Sequence, residues 1–153
     1  MTASQMMGVD LTETGTVASA NVGQRHVEPD GRVFQYVKAS ALIAQYAYVK
    51  ISGDGLFTAA EATTTTNPST EPALVGCAQV AIASGSHGWV QRRGLHTGKF
   101  AASCAQDVKI YTTATAGVFD DTATTLVNGL KLLTTIVGAS SVLAMAMDEM
   151  STS

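Results

Sequence analysis

The stretch Val75–Gln91, VGCAQVAIASGSHGWVQ, constrains the fold more than any other part of the chain. A run of small and β-branched residues breaks at Gly85-Ser86-His87-Gly88 and resumes at Trp89-Val90. Glycines at 85 and 88 admit positive φ, and the polar pair between them keeps a turn hydrated, so the chain can reverse there. The pattern predicts two short strands joined by that turn, with Trp89, the only tryptophan, as a core anchor.

The same grammar recurs along the chain. Pro29-Asp30-Gly31 precedes Val33, Phe34, Tyr36 and Val37, which reads as a hairpin turn feeding a half-buried strand. Ala39–Ala44 could form at most one helical turn before a strand through Tyr46, Tyr48, Val49 and Ile51, closed by Ser52-Gly53-Asp54-Gly55. Residues 58–72 are polar, include Pro68 and Pro72, and read as a mobile loop. Arg92–Lys99, RRGLHTGK, reads as a basic loop punctuated by glycine, and Val108–Tyr111 as a short strand. Gly129–Leu133 and Val142–Met147 read as closing strands around Gly138. AQYAYVKI at 44–51 and AQDVKIY at 105–111 form a weak internal echo, a hint of related hairpin units.

Many short strands with Gly-rich turns predict an all-β fold. The expected form is a small antiparallel barrel or sandwich with at most a short helical turn, plus an extended N-terminal arm. The arm covers residues 1–16, polar and without period, and a single β domain covers 17–150. At 153 residues such a domain buries roughly 70% of its unfolded surface without metals or disulfides.

Charge and composition narrow the function classes. A formal charge of -3 argues against nucleic acid as a partner, because phosphate binding needs a net basic face. Only 14% of residues are charged, so little charge keeps the surface apart from partners. No acid falls between Glu71 and Asp107, where Arg92, Arg93 and Lys99 lie with His87 and His96. That segment reads as a solvated rim or as a basic patch for an acidic protein surface.

Cys77 and Cys104 sit among small apolar residues and suit buried free thiols. The N-terminus lacks the basic and apolar regions of a secretory signal, and Leu132–Met147 is too short and too rich in Thr and Ser to span a membrane. No serine elbow, Cys-x-x-Cys pair or phosphate-binding loop occurs, so no catalytic residue, cofactor or metal is expected. Asp120-Asp121 reads as a loop acid pair, and Tyr36, Tyr46 and Tyr48 read as strand core rather than a base-stacking platform.

In order, the blocks DGRVFQYVKAS at 30–40, VGCAQVA at 75–81, GWV at 88–90 and ASCAQDVKIYTTATAGVFDD at 102–121 resemble those of the capsid decoration, or cement, proteins of tailed bacteriophages. The resemblance covers roughly residues 20–125; the Arg92-Arg93 segment and the Met-rich tail depart from it. It implies a non-enzymatic virion protein on the outer surface of the head, a homo-oligomer with a trimer favoured, which clamps neighbouring major capsid subunits. On that expectation Met1, Gln5, Met6, Met7, Leu11 and Val17 of the arm order on the capsid, for example as an added strand, while Arg92, Arg93 and Lys99 steer docking. An alternative is a carbohydrate-binding or host-adhesion β module, for which Trp89 with His87 and Asp54 is the candidate cleft. A hydrolase built on a hidden His/Ser pair is a third class.

Overall fold

The computed structural model describes residues 10–52, 55–64, 73–122 and 124–152, and among them the fold is all-β, without helix. Ten strands follow in chain order: β1 Arg25–Val27, β2 Val33–Ala39, β3 Tyr48–Ile51, β4 Thr58–Glu61, β5 Leu74–Ala78, β6 His87–Phe100, β7 Ile110–Thr112, β8 Phe119–Asp120, β9 Leu126–Leu132 and β10 Ser140–Thr152. Met1, Gln5, Met6 and Met7 lie outside the described residues, as do positions 65–72 of the expected mobile loop.

Backbone pairing closes two circuits. One runs β2-β4-β3-β5-β6 and back to β2; the other runs β6-β8-β7-β9-β10 and back to β6. The circuits share β6, and their connectivity is the same strand for strand. Both contain one parallel contact, β2 with β4 and β6 with β8, which departs from the expected antiparallel arrangement. The cause is local: β3 and β7 act as crossovers that return the chain beside β2 and β6 in their original direction.

The registers make the equivalence residue-specific. Tyr36 faces Trp89 as Thr97 faces Leu143, Lys38 faces His87 as Lys99 faces Ser141, and Ile51 faces Ala59 as Thr112 faces Phe119. Tyr46 and Asp107 both hold positive φ, at 66° and 58°. The Ala44 N–H donates to Glu61 Oε1 at 2.8 Å, and the Ala105 N–H donates to Asp121 Oδ2 at 2.9 Å. The chain is thus an internal structural repeat whose two units share a strand. The Ala-Gln of the sequence echo aligns correctly, whereas Val-Lys-Ile is displaced by two residues, because Val49 corresponds to Ile110. A two-residue shift preserves the face on which each side chain lies, so the pattern survives the misalignment.

Each circuit encloses its own core. Val37, Ala39, Val49, Ile51, Ala59 and Val90 fill the first, and Phe100, Ile110, Phe119, Leu132, Ala144 and Met150 are among those filling the second. Strand β5 lies between them, with Leu74 and Ala78 toward the first core and Val75 and Cys77 toward the second. A strand buried on both faces needs apolar residues at every position, which explains the continuous small run LVGCA. Trp89 belongs to neither interior: it packs with Phe34 and Tyr36 on the outside of the first circuit, under Leu11, Ala20 and Val22.

The segment Arg92–Lys99 is the middle of the longest strand, not a loop. Val33 pairs with Arg93 but Phe34 with Gln91, so Arg92 is the extra residue of a β-bulge. Gly94, at φ 96°, lets the strand turn from one circuit into the other. Gly98 lies against the Tyr48 ring, where a Cβ would come within 2.2 Å of the hydroxyl. The glycines that read as loop punctuation are therefore the places where β6 bends and where a neighbour presses close. Residues 58–61, read as loop, form β4 because β2 and β3 both pair with them despite their weak apolar content.

The bulge aims Arg92 into the seam between circuits, leaving it 5% exposed. Its Nε donates to Val75 O at 3.3 Å, Nη1 to Gln35 Oε1 at 3.4 Å and Nη2 to Met150 O at 2.9 Å, tying β6 to β5, β2 and β10. Glu149 Oε1 lies 3.9 Å from Nη1 and also pairs with Arg25. Arg92→Ala should cost about 3 kcal/mol, since it leaves buried acceptors and part of the Glu149 charge uncompensated, whereas exposed Arg93→Ala should change stability by less than about 0.5 kcal/mol. Urea unfolding of the two variants checks the contrast.

Candidate interaction surface

The residues expected to make contacts separate into three environments. Leu11 packs on the Phe34–Tyr36–Trp89 cluster, so it already has a partner within the chain. Gly15 forms a two-way backbone bridge with His87, at 3.2 and 2.7 Å, and the Ser19 N–H donates to the Tyr36 hydroxyl at 3.1 Å. Residues from Asp10 onward are thus laid against the domain, whereas Val17 is 83% exposed.

Arg92 is occupied in the seam and cannot steer docking, a correction that follows from its three buried hydrogen bonds. Arg93 and Lys99 do reach the outside. On β6 they alternate with inward-facing Gly98 and His96, and Leu95 and Thr97 lie between them on the same outer face. Neither has a carboxylate within 4.0 Å among the described residues. Leu95, 45% exposed, pairs across the sheet with Met145, and Leu143 and Met147 extend the apolar row on β10 at 54% and 56% exposure. Sequence reasoning missed this row, although the alternation Leu143-Met145-Met147 against Ala144-Ala146 carried the signal.

The histidines are scattered. His96 Nδ1 lies 3.0 Å from Gly94 O and Nε2 lies 2.8 Å from the Tyr48 hydroxyl. A carbonyl only accepts, so Nδ1 carries the proton and Nε2 accepts from Tyr48. Burial holds the His96 imidazole below its ordinary value and pushes the Tyr48 phenol well above its own, so this pair stays neutral inside the wall. His87 stacks on Tyr36, and His26 meets Trp89 edge-on at 6.2 Å.

Both cysteines are free and buried. Burial pushes the Cys77 thiol up and, with the Asp121 and Asp120 charges second and third, pushes Cys104 up to about 12. Ligand atoms of Cys104, Asp120 and Asp121 lie within 4.8 Å of one another. Asp121 there accepts the Ala105 N–H as Glu61 accepts the Ala44 N–H, which makes it a structural acceptor of the repeat.

Trp89 is 3% exposed and its ring lies 5.0 Å from that of Tyr36, so it offers no open face on which a sugar could stack. Asp54, its proposed companion, lies outside the described residues. No described helix is long and apolar enough to cross a membrane. Comparison with protein-family models, with curated proteins and with solved structures finds no match to this chain.

Because the native value of His96 lies below its unfolded one, the unfolded chain takes up a proton first as pH falls through about 6.5. Stability is therefore present above that pH and lost below it. Urea unfolding at neutral and mildly acid pH should show His96→Gln losing less stability on acidification than the natural chain.

Proposed function

We propose that this protein is a virion structural protein that binds the outer surface of a tailed-phage head and cements neighbouring major capsid subunits, acting as a homo-oligomer, with a trimer favoured. The observation that carries this reading is the ordered series of blocks between Asp30 and Asp121 that resembles the decoration proteins. The outward face of β6 and β10 supports it: an apolar row with Arg93 and Lys99 at its two ends suits an acidic protein surface. Repetition on an icosahedral lattice multiplies a modest contact by avidity, so few charges per copy suffice.

The contact assigned to Arg92 on sequence grounds passes to Arg93, Lys99 and the Leu95–Leu143 row. Met1, Gln5, Met6 and Met7 stay in the proposal as a second contact ahead of Asp10. Co-sedimentation with purified heads stripped of this protein tests the reading. Replacing both Arg93 and Lys99 by Glu should lower occupancy about tenfold at low salt while the fold is kept. Failure of the natural chain to bind such heads, or equal occupancy by the charge-reversed variant, would overturn it.

A further inference from the structure

The internal repeat makes one prediction about an uncovered face. In the first unit the outer side chains Phe34, Tyr36 and Trp89 lie under the chain's own residues 11–22, and the His87 backbone is bridged by Gly15. Their counterparts by register in the second unit are Leu95, Thr97 and Leu143, with Ser141 in the place of His87. Leu95 and Leu143 are about half exposed, the Thr97 backbone meets the Gln79 side-chain amide, and Ser141 pairs with Lys99. The second unit is built as the first but lacks its cover.

The surroundings specify what would fit. A hollow of about 360 Å³ beside Lys99 and Ser141 lies at one end of the row, and another of about 600 Å³ beside Arg93 and Met147 lies at the other. The strand from Arg93 to Lys99 spans ~20 Å, the reach of an extended segment of about six or seven residues. Each end carries a cation without a carboxylate partner among the described residues. The cover of the first unit has matching chemistry: DLTETGTVASANV at 10–22 sets Leu11, Val17, Ala20 and Val22 among small polar residues, contains Asp10 and Glu13, and has no basic residue.

We propose that the Leu95–Leu143 face docks an extended, aliphatic and acidic segment of a partner polypeptide, added beside Ser141 as Gly15 is added beside His87. Main-chain hydrogen bonds to Ser141 supply the register, aliphatic side chains cover Leu95 and Leu143, and carboxylates meet Arg93 and Lys99. The assignment rests on the repeat and holds whether or not the partner is a capsid subunit.

A synthetic peptide of residues 10–22 is the probe, since the first unit already accepts it. Added at roughly millimolar concentration to the isotope-labelled full chain, it should shift backbone resonances of Leu95, Lys99, Ser141 and Leu143 and leave those of Trp89 in place. Leu143→Asp should weaken binding about tenfold, as should a peptide with Asp10 and Glu13 replaced by Lys. Unchanged Trp89 emission certifies the fold of the variant, and Arg93→Glu provides a second variant with the same expected loss. Absence of shifts on this face, shifts confined to the Trp89 side, or indifference to both the variants and the charge reversal would overturn the proposal. Binding of the peptide without binding to heads would sustain this docking face while removing the capsid reading.

Discussion

The fold depends on what Arg92 does at the seam. Two closed circuits that share one strand must part company somewhere along it, and at that point carbonyls of β5 and β10 accept from a side chain of β6. A guanidinium has five donors in a rigid fork and is the side chain best able to serve acceptors arriving from different directions. Here it reaches Val75, Met150 and Gln35 at once, with Glu149 nearby to balance its charge. Burial lowers the tendency of Arg92 to hold its proton and Glu149 opposes that effect, so the charge persists in the seam. The bulge that directs Arg92 inward also bends β6 toward the second circuit, so one irregularity serves both geometry and hydrogen bonding.

Around that seam the repeat explains features that look unrelated in sequence. Glu61 and Asp121, so different in context, accept the same backbone N–H in the two units. Tyr46 and Asp107 adopt the same left-handed conformation at the same turn. Groups that would attract a mechanistic reading, among them His96, Cys77 and the Asp120-Asp121 pair, have structural work in the wall or at turns. What the repeat does not equalise is the outer face: aromatic and covered in the first unit, aliphatic and open in the second. That asymmetry places the proposed contact on β6 and β10 rather than at the tryptophan.

Several elements were legible because local chemistry suffices for them. Asp30-Gly31 sets a hairpin turn whose glycine holds φ 89°, and the aromatic and β-branched run after it becomes β2. The closing strands around Gly138 appear as β9 and β10. The Arg92–Lys99 segment was not legible as strand, since glycines and basic residues normally mark solvated loops. Its strand character comes from β2, β5 and β10, remote in sequence, and Arg92 is buried only because those strands bring carbonyls to it. Likewise Thr58–Glu61 has little to bury and becomes a strand through pairing on both sides.

The sequence by itself determined an all-β chain, the places of its tightest turns and the small-residue strand that begins at Val75, because glycine conformation, β propensity and two-residue periodicity are local properties. It also carried the echo of a repeat, displaced by two residues yet on the correct face. Only the tertiary structure decided that β6 is shared, that Arg92 is a buried pin while Arg93 and Lys99 face outward, and that one unit is covered and the other open. Those outcomes turn on which strands meet across long stretches of chain, and burial is a property of the meeting rather than of the residue.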